Sequence, residues 1–118
     1  MISGIYNALS GLFAFRTKID VTAHNVANLD TDGFKKSRVV MEEQPSGGVR
    51  ARIEPVNTPG SMILDPSSSG SRIVEKSNVD ISEAMIDLIT ARRSYEANLA
   101  TIKTENELLG GLLDTLDR

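Results

Sequence analysis

The stretch from Asn78 to Arg118 constrains this chain most. Asp80 can accept the free amides of a first helical turn, and Glu83, three residues on, is placed to return the bond. A stripe of Ile81, Met85, Leu88, Arg92, Tyr95, Leu99, Ile102, Asn106, Leu109, Leu113 and Leu116 follows, in unbroken steps of four and three. That spacing predicts a heptad seam rather than a plain amphipathic face. Two members, Arg92 and Asn106, are polar, and a polar residue in a seam weakens packing while fixing register. No proline intervenes. The spacing predicts one helix of about 36 residues, roughly 55 Å long at ~1.5 Å per residue. A compact domain of this chain length has a radius of gyration of only about 13–14 Å. Something outside such a domain has to cover the seam.

The start of the chain reads the same way. Met1 to Asn28 predicts a helix, with Ile2, Ile5, Leu9, Leu12, Arg16, Ile19, Ala23 and Val26 in steps of three and four. Ser3 is placed to cap it. Gly4, Ala8, Ser10, Gly11 and Ala14 line the flanks, and glycines that cost up to ~1 kcal/mol each in a lone helix make sense where another helix comes close. The helix is expected to stop at Asn28-Leu29-Asp30-Thr31-Asp32-Gly33-Phe34: Asn and Asp compete for backbone hydrogen bonds and Gly33 is free to take a positive φ.

Between the helices lies a polar segment with few apolar residues. Lys35 to Met41, Val49 to Glu54, Ser61 to Leu64 and Arg72 to Lys76 each suit a short strand. Pro45-Ser46-Gly47-Gly48 and Asn57-Thr58-Pro59-Gly60 suit turns, and Asp65 to Ser71 a loop. Sheets this small need a partner surface. The expected fold is therefore mainly α: long N- and C-terminal helices pairing as a coiled-coil-like hairpin, with a small β insert. The divisions are 1–34, 35–77 and 78–118. One antiparallel pair covers only one side of each helix, so copies of the chain are expected to supply the missing surface.

Chemistry is sparse. The 118 residues carry a net charge of −3, which argues against a non-specific nucleic-acid binder. There is no cysteine, and His24 is the only histidine, so it reads as a surface or interface residue near a helix end. Asp80, Ser82 and Glu83 read as a cap rather than a carboxylate pair. Arg92 reads either as solvated or as paired with a neighbour's carboxylate. Gly110-Gly111 is expected to interrupt the last helix. The loop at 65–71 lacks phosphate-cradle spacing. No nucleophile–base pair, metal cluster or cofactor loop is visible, so neither an enzyme nor a small-molecule site is expected. No apolar run is long enough to span a membrane, and no basic n-region precedes an apolar h-region at the N-terminus.

Two stretches resemble a known family. The first runs from Ala8-Leu9-Ser10-Gly11-Leu12 to Ala23-His24-Asn25-Val26-Ala27-Asn28-Leu29-Asp30-Thr31-Asp32-Gly33-Phe34-Lys35-Lys36. The second comprises Ser77-Asn78-Val79-Asp80-Ile81, Glu83-Ala84-Met85-Ile86-Asp87-Leu88-Ile89 and Ala91-Arg92-Arg93-Ser94-Tyr95-Glu96-Ala97-Asn98. Together they are similar to the paired terminal signatures of bacterial flagellar basal-body rod and hook proteins, most of all the proximal-rod members. The middle segment is shorter than the family's usual insert. The resemblance implies a structural, non-catalytic axial subunit whose terminal helices pack against copies of itself and neighbouring rod proteins. It implies a rod in the periplasmic space that transmits torque, and export unfolded through the flagellar type III apparatus without a cleaved signal. Asn25, Asn28, Gly33 and Phe34 would then hold the turn between inner and outer layers. The alternative is a soluble helical-hairpin adaptor or export-chaperone-like module, which has no need of the Asn28–Phe34 turn.

Overall fold

A computed structural model describes residues 2–67 and 69–118. Six elements follow one another: α1 (Ile2–Ala27), β1 (Ser37–Glu43), β2 (Val49–Pro55), β3 (Met62–Asp65), β4 (Arg72–Glu75) and α2 (Ile81–Leu116). The 36 residues of α2 form one continuous helix. Asp80 caps it by accepting from the amides of Ser82 (2.8 Å) and Glu83 (3.2 Å). The reciprocal half of the expected cap is diverted, because the Glu83 carboxylate binds Lys36 Nζ at 2.7 Å. Two further expectations are corrected. Ser3 lies inside α1, which already begins at Ile2. The helix also runs through Gly110 and Gly111 without a break, since the helix-forming residues around them sustain propagation once the turn exists.

The two helices run antiparallel. A Cβ on Gly4 would come within 2.5 Å of the Glu105 carboxylate, and one on Gly11 within 2.7 Å of the Asn98 carboxamide. Lys18 Nζ lies 3.3 Å from Asp87 Oδ1. The row on α1 is Gly4, Ala8, Gly11, Phe15, Lys18, Thr22 and Asn25; on α2 it is Ala84, Leu88, Ala91, Tyr95, Asn98, Ile102, Glu105 and Leu109. All of these are buried or half-buried, and both rows step by four and three. The buried apolar residues are small: Ala8, Ala14, Ala84 and Ala91. The closest levels of the seam are glycine, alanine and polar side chains, the large members Phe15, Leu88, Tyr95, Ile102 and Leu109 are only half-buried, and no large side chain is fully enclosed among the described residues.

The β1–β2 hairpin lies against a second face of α1. Its antiparallel register places Val39 opposite Ile53, Met41 opposite Ala51 and Glu43 opposite Val49. Val39, Met41, Val49 and Ala51 are half-buried. The other face is a charge ladder in which Arg38 meets Glu54, and Arg50 and Arg52 meet Glu42. The turn between the strands uses positive φ at Gly47 (92°) and Gly48 (84°), and the Val49 amide donates to Ser10 Oγ at 3.1 Å. The β3–β4 hairpin is thinner and leaves Met62, Leu64 and Ile73 exposed.

The molecule measures 84 × 25 × 16 Å with a radius of gyration of 21.1 Å. Its accessible surface is 8221 Å², where a compact monomer of this mass exposes about 6,300 Å². The excess is the outer surface of two long helices.

The close approach makes two glycines respond oppositely. Gly11→Leu is expected to push the helices apart at a cost of about 1–3 kcal/mol, outweighing the ~1 kcal/mol regained by removing a helical glycine. Gly110→Ala meets nothing within 4 Å and is expected to stabilise by roughly 0.5–1 kcal/mol. Thermal unfolding followed by circular dichroism checks both; a Tm in G11L equal to or above that of the parent would contradict the close contact.

Candidate assembly interface

The junction between helices and hairpins is built by two asparagines. Asn25, buried in the last turn of α1, donates from Nδ2 to the Ser37 carbonyl (2.7 Å) and accepts at Oδ1 from the Ser37 amide (3.0 Å). Asn78, two residues before the α2 cap, accepts at Oδ1 from the Lys36 amide (2.6 Å). Its Nδ2 donates to the carbonyls of Val56 (2.8 Å) and Thr58 (2.9 Å). Consecutive amides at the start of β1 are thus gripped from the last turn of α1 and from the segment that leads into α2. A carboxamide suits the task because it presents donor and acceptor in one plane, as a peptide group does.

The turn residues behave as their chemistry dictates. Asn28 Nδ2 donates to the His24 carbonyl (2.9 Å), and Asn28 Oδ1 accepts from Thr31 Oγ1 (3.1 Å). Gly33 has φ 71°, and its amide donates to the Glu75 carbonyl at 2.8 Å. Phe34 is half-buried, edge-on to His24 with ring centroids 5.6 Å apart. An ion pair from Lys35 and the Gly60 amide hold the Glu75 carboxyl below the usual carboxylate range. Arg52 and then Arg50 do the same for Glu42, and Arg38 and then Arg52 for Glu54.

The heptad rows are present, but they do not face where the apolar pattern aimed them. On α1 the packed row lies one residue before the anticipated one. Ile5, Leu12, Ile19 and Val26 flank it half-buried, while Leu9, Arg16 and Ala23 are exposed. On α2, Leu88, Tyr95, Ile102 and Leu109 do face α1, whereas Met85, Arg92, Leu99, Asn106 and Leu113 are exposed one position off it. Ile81 and Leu116 keep the spacing of the packed row but lie exposed at the two ends of α2. Arg92 pairs within its own helix, with Glu96 Oε1 at 3.0 Å. The polar residues in the packed row are Lys18, Thr22, Asn25, Asn98 and Glu105 instead. Glu105 sets its carboxylate over Gly4, where a helix start favours negative charge, and its Oε2 is buried without a hydrogen-bond partner.

What remains outside is apolar. Ile2, Tyr6, Leu9 and Phe13 form an exposed line on α1. On α2, Ile81, Met85, Ile86, Ile89 and Leu99 are exposed, as are Leu108, Leu112, Leu113 and Leu116. Large apolar side chains exposed in rows of this kind make the outer helix faces a candidate for contact with another molecule. The sequence reading missed Asn78, Tyr6 and Phe13; an asparagine just ahead of a helix cap was the available signal for the first. Among the described residues no cluster of three His, Cys, Asp or Glu is placed to hold a metal, and no helix is long and apolar enough to cross a membrane.

Asn78→Asp would set a carboxylate against the Val56 and Thr58 carbonyls. It is expected to destabilise the junction by about 1–3 kcal/mol, read as faster hydrogen exchange at the Lys36 and Ser37 amides. Acid should loosen the hairpins too. Glu75, Glu42 and Glu54 titrate below the ordinary value of 4.5 when folded. Their pairs therefore add stability above that pH and lose it as pH falls through the folded values. Glu75→Gln should flatten part of that fall in a series of melts from pH 7 to 3.

Comparison with known proteins agrees with this construction. Residues 5–35 match the family described as "Flagella basal body rod protein", and residues 71–115 match "Flagellar basal body rod FlgEFG protein C-terminal". The flagellar basal-body rod protein FlgC of Borreliella burgdorferi is 31% identical over 148 aligned positions, covering 98% of this chain and 97% of the relative. FlgC of Aquifex aeolicus is 32% identical, covering 88% and 91%. The rod protein FlgG of Bacillus subtilis is 40% identical, but over 60% of this chain and 28% of its own length. The Borreliella alignment exceeds the 118 residues present here while spanning nearly all of them, so that relative's extra length falls within the alignment. With both terminal signatures and the whole length accounted for, the chain belongs to the flagellar basal-body rod protein family and is similar to its FlgC members.

Proposed function

We propose that this chain is a structural, non-catalytic subunit of the flagellar rod that assembles through its two long helices into the axial tube. The observation that carries this reading is the outward turn of the large apolar residues. The helices bury mainly glycine, alanine and polar groups against each other, half-bury Phe15, Leu88, Tyr95, Ile102 and Leu109 beside them, and leave many of the other leucine, isoleucine, phenylalanine and methionine side chains exposed for other molecules. In this reading residues 1–34 and 78–118 form the inner layer, paired as an antiparallel coiled coil, and 35–77 the outer one. Ile5, Leu9, Leu12, Ile19 and Val26 on α1, with Ile81, Met85, Leu99, Leu113 and Leu116 on α2, contribute to contacts between subunits. Neighbouring rod proteins share those contacts, the flagellar type III apparatus exports the chain without cleaving a signal, and the assembled rod carries torque across the periplasmic space.

Support comes from surface arithmetic as well as from family membership. Heterologous contacts that do not close generate helical assemblies, and a subunit in such an assembly covers on its neighbours what it leaves bare. The test is mass spectrometry of purified hook–basal bodies beside a deletion strain. Several copies per basal body, with swimming on soft agar lost in the deletion, are the expected outcome. Absence from intact basal bodies, with swimming preserved, would remove the reading and favour a helical-hairpin adaptor.

A further inference from the structure

We propose that the C-terminal end of α2 from one copy seats in the groove between α1 and the β1–β2 hairpin of a second copy. This rests on the reading of the chain as a self-assembling subunit and names the contact.

Two surfaces carry it. The first is an open groove of about 440 Å³ floored by Tyr6, Leu9 and Phe13 and walled by Val49, Arg50 and Ala51. The second is the overhang of α2. Because Glu105 is level with Gly4 and Asn98 with Gly11, residues from Leu108 onward run past Ile2, the first described residue of α1. Leu109, Leu112 and Leu116 continue the four–three spacing of the packed row, yet Leu112 and Leu116 are 47% and 75% exposed. From Leu112 onward the overhang is thus the continuation of an established seam with no described residue of α1 beside it.

Charge agrees. Residues 2–19 contain no carboxylate and carry the exposed Arg16, and Arg50 stands exposed at the groove wall beside its partner Glu42, while Lys18 is taken up by Asp87 in the seam. Residues 104–118 contain Glu105, Glu107, Asp114 and Asp117 against Arg118 alone.

The overhang and the groove of one molecule cannot meet. The register sets Leu9 level with Ala100, and Leu112 lies further along a straight helix that leads away. At ~1.5 Å per residue the separation is roughly 18 Å along the axis. A second copy, displaced by about that distance in the same orientation, brings its overhang alongside Tyr6, Leu9 and Phe13, antiparallel to α1 as α2 is within the chain. Each copy then offers a free groove and a free overhang, so the contact repeats without closing.

The absence of native cysteine permits a direct test. Full-length L9C and L112C chains, both altered at exposed positions, are mixed in equal amounts at assembling concentration and mildly oxidised. The expected product is the mixed L9C–L112C disulfide, at least fivefold over either symmetric dimer, and a ladder from the double L9C/L112C chain. A predominance of L9C–L9C dimers, or random pairing, overturns the proposal. Independently, L112D/L116D should raise the concentration for half-maximal association in sedimentation at least tenfold with an unchanged helical spectrum. Unchanged association overturns the contact while leaving the subunit reading intact. If the chain is present in basal bodies yet never associates with itself, the groove is covered by a different subunit and the second-copy assignment falls. Absence from basal bodies instead removes the subunit reading itself.

Discussion

The backbones of α1 and α2 come together where side chains are smallest, and the rest of the structure depends on that approach. Gly4 faces Glu105 and Gly11 faces Asn98 at distances that leave no room for a Cβ without displacement. Ala8, Ala84 and Ala91 fill the remaining levels. Such a seam gains little from apolar area, because an alanine has little area to bury. It gains instead from many close contacts along a length and from the fit of Lys18 to Asp87. The cost is two long helices whose larger side chains have no place inside the molecule.

The asparagine junction makes that arrangement usable. Without Asn25 and Asn78, the start of β1 would hold two amides and several carbonyls away from regular pairing, each costly to leave unmet. With them, the hairpin is fixed against α1 at one end by carboxamides and at the other by Ser10. Close packing is also required at the open end of the β3–β4 hairpin, where a Cβ on Gly60 would collide with the Lys76 carbonyl. The hairpin therefore holds a set position on the helix and forms one wall of a groove with Tyr6, Leu9 and Phe13. A shape that specific on an otherwise bare helix gives a neighbouring molecule a defined place to bind.

Much of this was legible in the sequence, and the part that was not has a single physical origin. The lengths of both helices, the Asp80 cap, the positive φ at Gly33 and all four strands follow from local rules about hydrogen bonding and turn geometry. The four–three spacing was legible as well. The face it packs was legible only in part: Leu88, Tyr95, Ile102 and Leu109 do face α1, but apolar spacing reports which residues tend to avoid water and not what covers them. Leu9, Met85 and Leu99 fit the apolar spacing yet lie exposed in the chain, and the pattern drew the seam toward them. The glycine and alanine row one position earlier was visible as a line of small residues, but small residues carry little weight in a hydrophobic pattern. Glu83 failed to close its capping box because Lys36, distant in sequence, offered a full charge.

The displacement of the seam by one residue also bears on how the subunit works. Had Leu9, Leu12, Met85 and Leu99 packed against each other, the chain would have formed a well-buried hairpin with a polar exterior, stable alone and with little reason to polymerise. Turning the helices so that small residues meet lowers the stability of the single chain and raises the gain on association. In the proposed rod, the same rotation would favour the assembly over the monomer. Of the polar members of the packed row, Lys18 bridges to Asp87 across the seam and so favours one register, while Asn25 ties α1 to Ser37 and Asn98 bonds within α2.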